Sequence, residues 1–363
     1  MEGREREVTP QGLLDSIKDF TRKLLKELWE GNMPCVGINK YQAYCTLDHH
    51  HQACSCKPMA VIYKEVITME TKAAACRLVA MLRILQIIQE LLQENKHASK
   101  RDIYYTDPAI FHDRTMVDRG IDDVCVYFQC SRHNLNVVSP SKGLVMGWLR
   151  FIEFGREVDC TRNICTAYVI PMHVEQVQNI TSLAKYILVV EKETVFQRLA
   201  NDGFCKQNQC IVISGRGYPD VSTRRFLRLL INELNVPSFG LMDSDPYGFD
   251  ILTTYRFGSM QMAYDTKALS APEIRWLGVF PSDCDTFQIP DRCLLPLTTA
   301  DKKKVDSMLR RCYLQQHAPE WRYQLDIMWA KGIKFEIEAI SASSFSLLSE
   351  EYIPTKIKNG LYI

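Results

Sequence analysis

The chain has 363 residues, 46% hydrophobic and 24% charged, with a formal net charge of +1. This length accommodates two domains with cores of their own, while the near-zero charge excludes a globally basic surface, so any nucleic-acid contact must be local. No run of about 18 apolar residues occurs, so no membrane span is expected, and the charged start MEGREREVTPQG and fourteen scattered cysteines read as a nuclear or cytosolic protein with reduced thiols rather than a secreted one.

Residues 10–31 form an amphipathic helix, with Leu13, Leu14, Ile17, Phe20, Leu24, Leu25 and Leu28 opposite Lys18, Lys23 and Glu27. Two uses of that face stay open: packing on its own domain, or docking a partner through Leu24 and Leu28. Residues 45–58 carry His49, His50, His51, Cys54 and Cys56, but not in the paired spacing of a closed zinc site, and read as a solvated loop. A strong helix follows over 72–94, then a short basic helix-turn with Lys100, Arg101, Tyr104 and Tyr105, then a helical pattern over 116–130. The apolar runs of NLNVVSPSKGLVMGWLRF around Ser-Pro-Ser-Lys-Gly predict a hairpin. Helices followed by a hairpin suggest a winged helix, a DNA-binding variant of helix-turn-helix. The expected division is 1–70, 71–165 and 166–363, with the boundary near Gly155.

From residue 183 the rhythm becomes strand–helix–strand–helix: strands at 186–190, 210–214 and 237–242, helices at 192–202, 222–235 and 247–256. That predicts a compact α/β unit with parallel strands, followed by helices at 300–315 and 318–331. The run Tyr186–Val190 ends on Glu191, and Pro237–Met242 ends on Asp243-Ser244-Asp245. Ligands of open α/β sheets sit at the carboxyl ends of such strands. Glu191, Asp243 and Asp245 would converge there, an arrangement suited to Mg²⁺, a hard cation that prefers oxygen ligands. Asp-x-Asp alone is a weak signal, and solvated acids remain the bland alternative. Glu193 reads as a first-turn acid of the next helix.

Two further features point to phosphate chemistry. Over 216–228 four arginines stand against Asp220, +3 in thirteen residues, beside the Gly215–Gly217 turn and a helix start. Such a segment suits a nucleic-acid backbone, or is a turn with a solvated basic face. Lys100, Lys142, Arg216, Tyr218 and Arg224 are the candidate DNA contacts. The Tyr104–Tyr105 pair is on local grounds a packing feature. Its basic neighbours and the expected DNA-binding helices raise a second role, since a tyrosine oxygen can attack a phosphodiester. A phenol of ordinary pKa about 10 needs a cation or a base beside it to do so. No GxxxxGK[ST] loop occurs, which excludes that route of ATP hydrolysis.

In combination, RDIYY at 101–105, Glu191 in VVEKE, GRGYPDVSTRR and DSDPYG resemble the A subunit of topoisomerase VI and its meiotic relatives, which make DNA double-strand breaks. KHASKRDIYY, CSRHNLNVV, VVEKETVFQRLAND and YRFGSMQMAYD are especially similar to the plant meiotic branch. The likeness covers about residues 70–360 and is less distinctive before them. It implies an α/β multidomain protein: an N-terminal winged-helix domain of the catabolite-activator type, then a Toprim domain with a parallel sheet. It also implies Tyr105 as nucleophile, Arg101 as assisting cation, and Mg²⁺ on Glu191, Asp243 and Asp245. Arg216 stands where related sequences often carry Lys. Double-stranded DNA, a second copy or a related paralogue, and a partner protein resembling the B subunit of topoisomerase VI are the implied partners, on chromosomes in the nucleus. A catalytically silent DNA-binding scaffold and a Toprim nuclease that cuts with water remain the alternatives.

Overall fold

The computed structural model describes residues 9–41, 61–259, 262 and 265–363. The histidine- and cysteine-bearing segment at 45–58 lies outside the described residues. Two compact units part between Pro140 and Ser141, and residues 9–41 and 61–70 lie within the first rather than forming a unit of their own.

The first unit is helical. Helix α1 (Pro10–Trp29) starts at Thr9, whose side chain accepts from Gly12 N, with Pro10 in the first turn. Its inward face carries Leu13, Leu14, Ile17, Phe20 and Leu24. Strands β1 (Val36–Tyr41) and β2 (Val61–Ile67) pair antiparallel. Helix α2 (Lys72–Gln93) is capped by Thr71 and is apolar on one broad face. After the two-residue strand β3 (Ala98–Ser99) come α3 (Lys100–Thr106), α4 (Pro108–Phe111) and α5 (Arg114–Phe128), and then β4 (Val137–Val138). One arginine ties four of these elements together. Arg77 of α2 donates to both carboxylate oxygens of Asp123 on α5 at 2.7 Å and to Glu65 of β2 at 2.7 and 3.2 Å, and Lys40 of β1 reaches Glu65 at 2.9 Å.

Two expectations are corrected here. The hairpin over 134–151 does not form. Val137–Val138 pairs in parallel with Ala98–Ser99, whereas β5 (Leu144–Gly147) joins the sheet of the second unit. Both runs are buried, and Pro140 sits where the units part, so each run finds its own core instead of the other. Leu24 is no docking residue: it is 6% exposed and belongs to the first unit's core. Leu28, one turn on, lies outside that core with Leu25 and Trp29, the last 92% exposed.

The second unit is built on a six-stranded sheet. Its remaining strands are β6 (Arg150–Glu153), β7 (Arg156–Asp159), β8 (Tyr168–Val169), β9 (Val177–Thr181), β10 (Tyr186–Val190), β11 (Cys210–Ser214), β12 (Ser238–Leu241), β13 (Arg275–Gly278) and the short pair β14 (Leu295–Pro296) and β15 (Ile333–Lys334). The large sheet has the order β13-β12-β10-β11-β5-β8, and β7-β6-β9 form a small one. Strands β13, β12, β10 and β11 are parallel, and β5 lies antiparallel to both β11 and β8. Helices α6 (Glu193–Asn201), α7 (Phe204–Asn208), α8 (Val221–Leu234) and α9 (Pro246–Phe257) follow the central strands. Residues alternate between two cores: Ile187, Val189, Ile211 and Ile213 enter one, and Leu188, Val190 and Val212 the other. Burial on both faces explains why YILVV and CIVIS show no polar alternation. The expected 300–315 helix is broken at Arg310–Arg311 into Thr299–Leu309 and Cys312–His317.

Candidate active site

Strands β10 and β12 are neighbours with Val190 opposite Leu241, so their carboxyl ends open side by side. Glu191 N donates to Leu241 O at 3.1 Å, and Gly217 N donates to Glu191 O at 2.8 Å, which seats the Gly215–Gly217 turn against the first strand end. Glu191 Oε2 accepts from Asp243 N at 2.9 Å. Asp243 Oδ1 accepts from Ile337 N at 2.9 Å, while Oδ2 pairs with Lys192 Nζ at 2.9 Å. Asp245 caps α9, its Oδ1 accepting from Tyr247 N at 2.8 Å and Gly248 N at 2.6 Å. Gly248 is required by this geometry, because a Cβ there would lie 2.5 Å from Asp243 O and 2.8 Å from Glu191 Oε2.

The structure therefore brings Glu191, Asp243 and Asp245 to one strand-end crevice. Burial pushes the Glu191 carboxyl well up from the usual range, and the charges of Asp243 and Asp245 add to the shift. Burial raises Asp243 as well, against the opposing effects of Ile337 N–H and the Lys192 ammonium. Crowded, desolvated carboxylates supply the all-oxygen donor set that a hard divalent cation takes, so the residues present fit such an ion. Among the described residues, however, no group of three or more His, Cys, Asp or Glu side chains is already drawn together round a metal position. Asp243 is instead held on Lys192 and Ile337 N.

Sequence reasoning missed the Lys334–Ile340 segment. Ser244 and Phe335 exchange backbone hydrogen bonds at 2.9 and 3.2 Å, laying that segment along the aspartate loop. Glu336 and Glu338 meet Lys192 Nζ at 3.0 and 3.1 Å. The available signal was the period-two alternation of Lys334, Glu336 and Glu338 with Ile333, Phe335 and Ile337.

In the first unit, α3 opens with a capping box: Ser99 N donates to Asp102 Oδ2 at 2.8 Å and Asp102 N to Ser99 Oγ at 3.2 Å. This start sets the helix phase. Ile103 points into the core, Tyr104 packs half-buried against it, and Tyr105 is 63% exposed. The two rings meet edge to face at 5.1 Å. Arg114, the first residue of α5, donates to Tyr105 Oη at 3.2 Å. The cation on the phenol oxygen is thus Arg114, which sequence reasoning did not single out; Arg101 lies exposed one helical turn back from Tyr105. Lys100 is paired with Asp118 at 2.7 Å.

The remaining candidate DNA contacts separate by burial. Arg224 is corrected: it is 4% exposed, and its Nε donates to Leu269 O at 2.9 Å, because position 224 falls on the inward stripe of α8 with Leu227. Arg225 pairs with Glu175, and Arg228 with Glu273 at 2.7 Å, so acids on neighbouring elements offset the local +3. Arg216 is exposed and pairs with Glu193 at 2.8 Å. Lys142 N donates to Asp220 at 2.7 Å and its Nζ to the backbone Arg216 O at 3.3 Å, which seats the lysine against the Gly215–Gly217 turn. Tyr218 Oη donates to Asp250 at 2.7 Å, and Lys304 and Arg311 each reach Asp250 at 2.9 Å, a cationic patch not anticipated from sequence.

Comparison with known proteins agrees with this architecture. The family model for the Toprim domain shared by Spo11 and the A subunit of topoisomerase 6 matches residues 186–357, and that for type IIB DNA topoisomerase matches 77–137. The chain is 56% identical to meiotic recombination protein SPO11-1 of Arabidopsis thaliana over 99% of its own length and 98% of that protein. Identity to meiotic recombination protein SPO11 of Homo sapiens is 36%, over 99% and 91%. The A subunit of DNA topoisomerase 6 from Arabidopsis thaliana is 42% identical over 76% of this chain and 64% of that protein. The parallel strands β10 to β13 all lie within the stretch that the Toprim model matches. The chain belongs to the family formed by Spo11 and the A subunit of topoisomerase 6.

Proposed function

We propose that this protein starts meiotic recombination by cutting DNA as a type IIB topoisomerase-like transesterase. The observation that carries this reading is an exposed Tyr105 with a guanidinium on its oxygen, in a family chain whose other unit presents three strand-end carboxylates. Tyr105 Oη attacks a backbone phosphorus, a new O–P bond forms, and the bond to the 3′-oxygen breaks. The phenol proton leaves to solvent or a base, the departing 3′-oxygen takes up a proton, and the 5′ end stays linked to the protein. Arg114 stabilises the charge that develops on the phenol oxygen, and Arg101 lies one turn back on the helix that carries Tyr105.

Glu191, Asp243 and Asp245 would hold Mg²⁺, which when bound offsets charge on the transferring phosphate and the departing oxygen. Arg216, Lys142 and Tyr218 would contact the duplex backbone along the rim of the same unit, with Lys100 near the nucleophile. We read the first unit as the winged-helix-type, DNA-binding nucleophile domain, with the β1–β2 pair as its small sheet in place of the expected hairpin, and the second as the Toprim domain with its C-terminal extension. Each protomer carries one Tyr105, so a double-strand break calls for two, either copies or paralogues, with two-fold symmetry matching the duplex. Leu28, with Leu25 and Trp29, gives a docking face for a partner protein resembling the B subunit of topoisomerase VI, and the site of action is the nucleus.

The test is direct. Tyr105→Phe should abolish protein–DNA adducts that survive denaturation while leaving the melting temperature unchanged. Adducts that persist in that variant would return the role to Tyr104 or another group.

A further inference from the structure

Lys192 lies directly between the strand-end acid Glu191 and helix α6, and its ammonium is fully subscribed. It has three protons and meets three carboxylates: Asp243 Oδ2 at 2.9 Å, Glu336 Oε2 at 3.0 Å and Glu338 Oε2 at 3.1 Å. Of these, Asp243 is the one with a second task. Its Oδ1 accepts from Ile337 N at 2.9 Å, while Oδ2 carries the Lys192 ammonium.

We propose that Lys192 is a tethered counter-ion that holds the cation position of Asp243 and is displaced onto Glu336 and Glu338 when a divalent cation enters. The proposal rests on the reading of Glu191, Asp243 and Asp245 as the metal site. An ammonium and a dication on one carboxylate oxygen repel each other, so entry of one is exit of the other. The exit is prepared. The backbone of residue 191 is fixed to Leu241 O, but the Lys192 side chain is partly open to solvent, 25% exposed, and carries its ammonium on a flexible four-carbon stem. Glu338 is oriented to receive it, its Oε1 held by Thr194 Oγ1 at 3.0 Å while Oε2 takes the ammonium. The stretch 336–338 thus grips both members of the exchange: the amide of Ile337 holds Asp243, and the carboxylates on either side hold Lys192. Before the ion arrives, Lys192 neutralises a buried acid that would otherwise face Glu191 uncompensated. Afterwards the Glu pair keeps the ammonium out of the site.

The experiment is Mg²⁺ titration by calorimetry on the full chain, with the Mg²⁺-induced shift in melting temperature as a second readout. Lys192→Gln should tighten Mg²⁺ binding about tenfold, and Glu338→Gln should weaken it about fivefold. A simple change in field would make these two effects additive, whereas displacement makes them interdependent. Glu338→Gln placed on top of Lys192→Gln should therefore have almost no further effect, because no ammonium is left to receive. Equal weakening by Glu338→Gln in both backgrounds, or unchanged or weaker binding in Lys192→Gln, overturns the exchange. Should Lys192→Gln fold poorly, Lys192→Met with Glu338→Gln completes the same cycle. Wild-type protein that binds no Mg²⁺, or Asp243→Asn that binds it as tightly, overturns the metal site itself and the exchange with it.

Discussion

Tyr105 and Tyr104 are adjacent and chemically identical, yet the capped start of α3 gives them different surroundings. Ile103 and Tyr104 take the core side, and the next residue falls on the open side with Arg114 at 3.2 Å from its oxygen. If that guanidinium supports the developing phenolate, Arg114→Ala should slow adduct formation about 100-fold, a magnitude typical of losing one fixed charge-stabilising donor. Single-turnover cleavage of a duplex by the purified protein measures it. Loss on Arg101→Ala with Arg114→Ala unaffected would restore the role to Arg101. Gly248 makes a second residue-scale case. An added methyl group would press on the backbone of Asp243 and on Glu191 Oε2, neither of which can turn aside. Gly248→Ala should lower stability by about 1–3 kcal/mol and weaken Mg²⁺ binding along with it, because α9 must back away from the strand ends. Unchanged denaturant midpoints would show that the loop gives way more easily than this packing allows.

Among elements, the Arg77 junction adds charge pairing to the apolar core that β1, β2, α2 and α5 share, which makes the first unit sensitive to acid. Its hydrogen bonds from Arg77 hold the Glu65 carboxyl down at about 2, from an ordinary 4.5. A depressed carboxylate contributes stability in full above its unfolded pKa and loses it as pH falls through the folded value. The wild-type unit should therefore weaken between about pH 5 and pH 2. Glu65→Gln should be less stable at neutral pH by about 1–2 kcal/mol, allowing for solvent at a partly exposed pair, and should show a flatter acid limb in thermal melts. Parallel acid limbs in the two proteins would mean that the junction does not set the acid sensitivity. The junction was invisible in sequence, since Glu65, Arg77 and Asp123 are far apart and no local pattern links them. The strands of the second unit were legible for the opposite reason. Tyr186–Val190 and Cys210–Ser214 carry their burial in their composition, and charge ends the first on Glu191. Helix periodicity likewise revealed α1, α2 and α8. It did not decide Arg224, and the apolar runs that predicted a hairpin over 134–151 pair with different units; in both, the deciding factor was which side of a unit boundary or helix the residue would meet. Leu24 and Leu28 show the limit within one helix: both belong to an apolar face, but only tertiary packing decides that the first is covered and the second is not.

At the scale of the whole molecule, the proposed nucleophile and carboxylates belong to different compact units of one chain, and we propose that the tyrosine of one protomer serves the acids of the other. That assignment has a consequence that mixing experiments can read. Take protomers carrying Tyr105→Phe and protomers carrying Asp243→Asn, each inactive as a pure dimer. In a mixed dimer of the crossed arrangement, the intact tyrosine of the Asp243→Asn protomer meets the intact acids of the Tyr105→Phe protomer. The second composite site has neither. One strand is then cut and one is not, so the mixture should yield nicked duplex with a single 5′-linked protein and no double-strand break. If instead each tyrosine serves the acids of its own chain, every site in the mixture lacks one component and no nick appears. Purified mixtures assayed on a duplex labelled on both strands separate these outcomes, and titrating the ratio of the two variants gives a further check. Nicking should peak at equal amounts, where mixed dimers are most abundant, and a peak at any other ratio would mean that the cutting assembly is not a dimer.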